Sequence, residues 1–185
     1  MQTELVDRAR RGDREAFGVL AGGAVDRLYA IARHILRDAE LAEDATQDAL
    51  VRAWRDLPSL RDVERFDAWL YRLLVYACAD VGRHRRRWRA EISVLPAEPA
   101  EHDRSSDVAD RDELERGLRR LTDAQRTILV LNFYVGLSLS ETAKALDIPV
   151  GTAKSRLHYA IEALRAALAA DTRSSVSGLR EGRMA

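Results

Sequence analysis

The residues that decide the fold are 138–164, which read SLSETAKALDIPVGTAKSRLHYAIEAL. Ser138 and Glu141 have the spacing of a capping box. In that motif, an N-cap hydroxyl and a carboxylate three residues later satisfy free backbone N–H groups at the start of a helix. Apolar residues then recur at helical spacing, at Leu139, Ala143 and Leu146. The stretch therefore predicts a short helix that begins at residue 139.

A tight turn and a second helix follow the short helix. The turn is Asp147-Ile148-Pro149, and Asp is among the few residues that tolerate a left-handed backbone. We predict that the second helix runs from Val150 to Leu168, with one apolar stripe that must pack inward. The stripe consists of Val150, Ala153, Leu157, Ile161, Leu164 and Leu168. This pattern is typical of a helix-turn-helix.

The opposite face of the second helix is polar and basic. Its residues are Thr152, Lys154, Ser155, Arg156, His158 and Tyr159. Such a helix can enter a DNA major groove with its first residues facing base edges. Lys and Arg can then donate to guanine O6 and N7. The alternative interpretation is an amphipathic hairpin whose polar face is simply solvated.

The rest of the chain also shows helical periodicity, without strand-like alternation. We predict helices at 4–9, 14–20, 25–36, 41–57 and 66–87. The stretch 92–110 contains Pro96, Pro99 and several acids without an apolar period, which is typical of a linker. The prediction is an all-α protein with two small helical domains. Its parts are a domain at 1–90, a flexible linker at 91–110, a domain at 111–170 and a disordered polar tail at 171–185.

The formal net charge of zero hides a segregated charge distribution. Residues 72–89 contain six Arg and one Asp, whereas residues 98–115 contain eight acids and two Arg. A basic segment followed by an acidic one is consistent with a polyanion-binding surface beside a segment that avoids polyanions. Two solvated helix faces would produce the same pattern.

Several classes of protein lack support in the sequence. No apolar run is long enough for membrane insertion, and Met1 is not followed by the basic and apolar stretches of a secretory signal. Cys78 is the single cysteine, and we expect it to be a buried small residue. The histidines have no metal-ligand spacing, and we find no phosphate loop or nucleophile elbow. We therefore expect a cytoplasmic protein that is not an enzyme and has no metal or cofactor.

Several motifs together resemble the extracytoplasmic-function (ECF) RNA polymerase sigma factors. Residues 138–164, with the preceding 114–136, resemble region 4 of that family. Ala42-Glu43-Asp44-Ala45-Thr46-Gln47-Asp48, followed by Arg52-Ala53-Trp54, resembles the centre of region 2. The helix at 66–87 resembles the end of region 2. The resemblance covers most of the chain, with both regions in the family's order.

The resemblance implies an alternative sigma factor that binds core RNA polymerase and directs promoter recognition, DNA melting and transcription initiation without catalysing a reaction. Its partners would be core polymerase, promoter DNA as duplex and melted strand, and an anti-sigma factor. The helix around Asp44 would bind the clamp helices of the largest polymerase subunit. Its outward face would be Asp44, Gln47, Asp48 and Arg52, while Leu41, Ala45 and Trp54 would hold it on the core.

The resemblance also assigns DNA-binding residues. The loop at 59–65, with Arg61 and Arg65, would capture a flipped base of the −10 element. The single-strand path would be lined by Trp69, Arg72, Tyr76, Arg83, Arg85, Arg86 and Arg87. Aromatic rings can stack on unpaired bases and arginines can neutralise phosphates, although on periodicity alone Trp54 and Trp69 are expected in the core. Tyr76 stands where many relatives carry Asn.

The polar face of the second helix in the helix-turn-helix would read the −35 element as duplex DNA. The competing hypothesis is a regulator that binds duplex DNA only. That regulator would need neither a polymerase-binding face at Asp44 nor a single-strand path.

Overall fold

The structure is a computed structural model that describes the backbone of residues 1–92 and 109–181 and the side chains of residues 1–85 and 114–170. The N-terminal half contains α1 (Gln2–Arg10), α2 (Arg14–Leu36), α3 (Ala39–Asp56) and α4 (Phe66–Ile92), with 3-10 turns at Leu57–Ser59 and Val63–Arg65. The C-terminal half contains α5 (Ala109–Arg119), α6 (Asp123–Leu129), a π-helical turn at Val130–Tyr134, α7 (Leu139–Ala145) and α8 (Val150–Glu181). The prediction of an all-α fold is confirmed.

One predicted break is wrong, because α2 is a single helix from Arg14 to Leu36. Gly22 and Gly23 lie inside it, and glycine costs about 1 kcal/mol relative to alanine in a helix interior. Leu20 and Ala24 are both buried on the same side of the helix. Continuous packing across the glycines therefore outweighs their poor helix propensity.

The core of the N-terminal half forms where α3 lies against both α2 and α4. The inward face of α3 is made of alanines, all of them completely buried, at positions 42, 45, 49 and 53. Leu28 and Ile31 of α2 and Leu70 and Leu74 of α4 fill the space around them. Small side chains let the helices approach closely, so the outer face of α3 is left to carry polar residues.

The C-terminal half has a smaller core built around α8. Leu121, Ile128 and Leu129 pack against α7 and α8. The fully buried positions of α8 are Ala153 and Ala160, whereas Val150 is 49% exposed. The predicted inward stripe is therefore wrong at Val150. This residue is the first of the helix and lies beyond the edge of the core.

The helix-turn-helix has the predicted local geometry. Ser138 Oγ accepts a hydrogen bond from the backbone N–H of Glu141 at 3.3 Å, and Glu141 Oε2 accepts from the N–H of Ser138 at 2.8 Å. Asp147 has a φ of 53° in the turn. A second capping box, Thr122 with Gln125, starts α6. We did not predict it, although the hydroxyl and amide have the required spacing.

The end of the chain differs from the predicted disordered tail, since α8 continues through Asp171 to Glu181. Alanine is the best helix former, and alanines at 166, 167, 169 and 170 lead into this segment. Residues 182–185 and most of the predicted linker lie outside the described residues. No helix in the described part of the chain is long and apolar enough to cross a membrane.

The two halves contact each other through α4 and α7 and through α2 and α6. Arg126 of α6 donates from Nη1 to the carbonyl oxygen of Ile35, at the end of α2, at 2.6 Å. Val75 of α4 forms an apolar cluster with Leu131 and Ala145 of the C-terminal half. The turn of the helix-turn-helix is consequently placed near α4.

We predict that Ser138→Ala destabilises the C-terminal half by about 1 kcal/mol, because the first N–H groups of α7 lose their side-chain partner. Urea unfolding of the full chain measures this change. Ser140→Ala removes an exposed hydroxyl two residues after the cap and is the matched control. Equal stability of the two variants would contradict the role of the capping box.

Candidate nucleic-acid and polymerase interfaces

The first turns of α8 present a polar face that is free of the core. Ala153 and Ala160 hold the helix on α6 and α7. Ser155 Oγ donates to the carbonyl oxygen of Thr152 at 3.0 Å. The predicted residues Lys154, Ser155, Arg156, His158 and Tyr159 are exposed, and Thr152 is half-buried. The structure therefore brings all six of the predicted duplex-reading residues to one accessible surface.

The outer face of α3 carries the four predicted polymerase-binding residues, but they differ in accessibility. Asp44 and Gln47 are exposed, whereas Asp48 and Arg52 are half-buried. Arg52 Nη2 donates to Asp48 Oδ2 at 2.6 Å and to Asp80 Oδ2 at 2.7 Å. Arg52 thus ties α3 to α4 within the protein, a contact that sequence spacing could not reveal.

The ion pair between Arg52 and Asp80 shifts the pKa of both of its members. The hydrogen bond from Arg52 lowers the pKa of Asp80, with a further contribution from the charge of Arg83. The carboxylates of Asp48 and Asp80 in turn raise the pKa of Arg52. The bridge between α3 and α4 is therefore fully ionised at neutral pH.

Trp54 does not lie in the core, and that expectation is wrong. Its side chain is 37% exposed, and its ring packs on Phe17 at a centroid distance of 5.0 Å. With Arg14 the two rings line a small open cleft between α2 and α3. The physical reason is that the neighbouring Ala53 occupies the inward position of this turn.

The loop before α4 exposes both of its predicted arginines, Arg61 and Arg65. Asp62 organises the loop, because its carboxylate accepts from the N–H of Glu64 at 3.1 Å and pairs with Arg65 at 3.0 Å. Trp69 is half-buried, with its ring 6.0 Å from that of Phe66. The aromatic pair fixes the start of α4 beside the loop.

The predicted single-strand path continues along α4. Arg72 is half-buried, and its Nε has no hydrogen-bond partner among the described residues. Tyr76 lies one turn further on and is exposed. Burial raises the pKa of Tyr76, and the carboxylate of Asp147 in the helix-turn-helix raises it further. Tyr76 and Asp147, which are far apart in sequence, therefore interact electrostatically.

The basic end of α4 is partly neutralised by acids. Arg83 pairs with Asp80, and Arg85 pairs with Asp38. Asp38 also caps α3, since its carboxylate accepts from the N–H of Leu41 at 3.1 Å. The predicted residues Arg86 and Arg87 belong to α4, but their side chains lie outside the described residues.

Cys78 is 3% exposed, which confirms the expectation of a buried small residue. Burial raises the pKa of its thiol to about 12. Within the part of the chain that the structure describes, no His, Cys, Asp or Glu side chains form a group of three or more that could hold a metal ion.

Comparison with known proteins agrees with this arrangement. The family described as "Sigma-70 region 2" matches residues 24–90, and "Sigma-70, region 4" matches residues 117–166. The RNA polymerase sigma-H factor of Pseudomonas aeruginosa is 32% identical, over 89% of this chain and 92% of the relative. The ECF RNA polymerase sigma factor SigW of Bacillus subtilis is 31% identical, over 89% and 95%.

Two solved structures share the fold over most of the chain. One is CnrH in complex with the cytosolic domain of CnrY, with a TM-score of 0.66 and 29% identity, covering 92% of this chain and 98% of the other. The second is the sigma factor RpoE in complex with the anti-sigma factor NepR from Bartonella quintana. Its TM-score is 0.69 and its identity 26%, covering 84% and 98%.

The chain belongs to the ECF-type sigma factors of RNA polymerase, with sigma-70 regions 2 and 4. It is a non-catalytic subunit that directs promoter recognition and transcription initiation by RNA polymerase. Region 2 lies in the N-terminal half and region 4 in the C-terminal half.

We predict that Arg52→Ala raises the pKa of Asp80 toward its ordinary value, because the donor that lowers it is removed. Carboxyl NMR titration measures the shift. A carboxylate whose pKa is lower in the folded protein than in the unfolded chain stabilises the fold at pH values above its unfolded-state pKa. The stability difference between the variant and the wild type should therefore be largest near neutral pH and vanish as the pH falls through the lowered pKa.

Arg55→Ala is the control for this titration. Arg55 lies on the same helix but pairs with Asp56, so the pKa of Asp80 should not move. An unchanged Asp80 pKa in Arg52→Ala would contradict the bridge between α3 and α4.

Proposed function

We propose that the exposed face of α8 reads the −35 element of the promoter as duplex DNA. Lys154 and Arg156 would donate to base edges, while Thr152, Ser155, His158 and Tyr159 would contact bases or phosphates. The observation that supports this proposal is the difference in burial between the two faces of α8. Alanines bury one face completely, and the other offers cationic and hydroxyl donors to solvent.

We further propose that the loop at 59–65 and the outer side of α4 hold the melted −10 strand. Support comes from the exposure of Arg61 and Arg65 next to Trp69. Extruding a base from the stack costs a few kcal/mol, which stacking on aromatic rings and pairing of phosphates with arginine can offset. Arg72, Tyr76, Arg83 and Arg85 to Arg87 would continue the path along α4.

The outward face of α3 is our proposed contact with core RNA polymerase. Asp44 and Gln47 are accessible for direct contact, while Arg52 would act by keeping α3 fixed on α4. The structural role of Arg52 is supported by its two hydrogen bonds, to Asp48 and Asp80. We assign the whole activity to the cytoplasm, where core polymerase is found.

Control by an anti-sigma factor is also part of the proposal. The structure of RpoE is a complex with the anti-sigma factor NepR, and that of CnrH is a complex with the cytosolic domain of CnrY. An inhibitor of this class would cover the polymerase-binding and DNA-binding faces. The boundaries that we propose are 1–90 for the region 2 domain, 91–110 for the linker and 111–170 for the region 4 domain.

Run-off transcription with core RNA polymerase and a promoter library tests the proposal. We expect specific transcripts from templates that share one −35 and one −10 sequence. Binding to duplex DNA without any transcript in the presence of core polymerase would instead support the duplex-only regulator.

We predict that Lys154→Ala and Arg156→Ala each weaken binding to the selected −35 duplex about ten- to a hundredfold, because one good base contact discriminates by about 1–3 kcal/mol. Fluorescence anisotropy measures DNA affinity, and pull-down measures binding to core polymerase, which should not change. Arg165→Ala, on the same helix but paired with Glu162, is the control. Loss of polymerase binding instead would identify this face as a protein interface.

We predict that Asp44→Ala together with Gln47→Ala weakens core polymerase binding at least fivefold, with the −35 affinity of the free protein unchanged. Two exposed polar contacts are lost, while the buried alanines of α3 keep the fold intact. Asp26→Ala removes an exposed acid from α2 and controls for the change in charge. Wild-type polymerase affinity in the double variant would exclude this face of α3 as the docking site.

A further inference from the structure

Helix α1 lies against the loop that we assign to the −10 strand. It contacts the 3-10 turns at both ends of that loop, Leu57–Ser59 and Val63–Arg65. Val6 and Ala9 of α1 are buried in the same apolar cluster as Leu60 of the loop. The position of the loop therefore depends on α1 as well as on α3 and α4.

One side chain of α1 also bonds to the backbone of the loop. Arg10 Nη1 donates to the carbonyl oxygen of Leu60 at 3.2 Å, and Arg10 Nη2 donates to Asp7 Oδ1 at 3.0 Å. Asp7, one turn earlier on α1, thus holds the guanidinium in place. Leu60 leaves the first 3-10 turn in an extended conformation, and Arg61 follows it at the surface. Arg10 therefore fixes the point at which the exposed part of the loop begins.

The far end of the loop is fixed through Asp67, in the first turn of α4. Asp67 Oδ1 accepts hydrogen bonds from Arg27 Nη2 at 2.9 Å and from Gln2 Nε2 at 3.3 Å. Helices α1 and α2 thus hold the chain directly after the loop. Between these two ends, Arg61 and Arg65 are exposed. The loop consequently presents its arginines to solvent while both of its ends are fixed.

We propose that α1 positions the −10 loop for the unpaired base, with Arg10 as a positioning residue that acts through the backbone of Leu60 and does not itself touch DNA. A loop that is held in place before its ligand arrives loses less conformational freedom on binding. The proposal rests on the assignment of the loop at 59–65 to the −10 strand given above. It adds to the −10-reading unit a helix that precedes residues 24–90, the stretch that matches region 2.

The holoenzyme of core polymerase with the variant Arg10→Ala tests this role. The probes are the single-stranded −10 oligonucleotide of the promoter selected by run-off transcription and copies in which one base at a time is replaced by an abasic site. The abasic site that weakens wild-type binding most marks the captured base. We expect Arg10→Ala to bind the intact oligonucleotide about five- to twentyfold more weakly, because a looser loop must be ordered on binding.

Binding of the oligonucleotide that lacks the captured base should be the same in Arg10→Ala and in the wild type, within about twofold, since the loop has no base to hold. A general loss of structure would instead weaken the binding of both oligonucleotides. Equal losses for the intact and the abasic oligonucleotide would therefore overturn the positioning role.

Arg11→Ala is the matched control. Arg11 lies on the same helix, carries the same charge and pairs with the same Asp7, but its hydrogen bonds run to the carboxylate and the carbonyl oxygen of Asp7. We expect this variant to bind the intact oligonucleotide like the wild type. Both variants should keep the binding of the −35 duplex and of core polymerase. A loss in Arg11→Ala as large as that in Arg10→Ala would attribute the effect to charge and overturn the proposal.

The salt dependence of oligonucleotide binding separates positioning from direct contact with the strand. Each phosphate contact with a single strand contributes about 0.7 to the slope of log K against log salt. Arg10→Ala should keep the wild-type slope. A slope that is shallower by about 0.7 would show that Arg10 pairs with a phosphate, which contradicts the proposal.

Hydrogen exchange of the free protein tests the same contact without DNA. The amide of Leu60 donates to the carbonyl oxygen of Leu57, and the amide of Arg65 donates to that of Asp62. In Arg10→Ala both loop amides should exchange at least about fivefold faster, because local opening of the loop becomes easier. Amides in the middle of α3 should keep their wild-type rates. Unchanged exchange of the two loop amides would overturn the proposal.

The variant Arg61→Ala separates this inference from the assignment of the loop. If Arg61→Ala weakens binding of the intact oligonucleotide and Arg10→Ala does not, only the role of α1 is wrong. If neither variant weakens it, the assignment of the loop to the −10 strand is wrong, and the positioning role is overturned with it.

Discussion

The close approach of α3 to its two neighbours is the constraint on which the rest of region 2 depends. The alanines at positions 42, 45, 49 and 53 have no exposed surface, so a larger side chain at any of them would push α2 or α4 away. Overpacking of a well-filled core commonly costs about 1–3 kcal/mol. Because buried alanines occupy the inward face of α3, Asp44 and Gln47 must face outward. The same packing sets α4 beside α3, where Arg52 joins the two helices through Asp80.

In region 4, as in region 2, buried alanines set the position of a helix whose other face is exposed. Ala153 and Ala160 seat α8 on α6 and α7, and the polar face of α8 is thereby held away from the core. The left-handed conformation of Asp147 sets the direction in which α8 leaves α7. The proposed polymerase-binding surface of α3 and the proposed −35-reading surface of α8 are thus consequences of buried small residues. Their relation to each other depends on the contacts between the two halves, among them Val75 with Leu131 and Ala145 and Arg126 with the carbonyl oxygen of Ile35.

Local patterns predicted the fold well, whereas contacts between distant residues could not be predicted. The capping box at Ser138, the turn at Asp147 and the exposed face of α8 follow from spacing alone. Spacing does not distinguish Ala53 from Trp54 as the inward residue, and it does not show that Arg52 is held by Asp80. The sequence pattern also predicted a break between residues 20 and 25, which the packing of α2 overrides. The electrostatic interaction of Tyr76 with Asp147 joins residues whose separation in sequence gives no local signal.

A structure of this sigma factor with core polymerase and a melted promoter would test the account most directly. It should show Lys154 and Arg156 against base edges of the −35 duplex and Tyr76 against the unpaired −10 strand. Asp44 and Gln47 should contact the polymerase. A transcribing complex in which the polar face of α8 contacts protein instead of DNA would contradict the account.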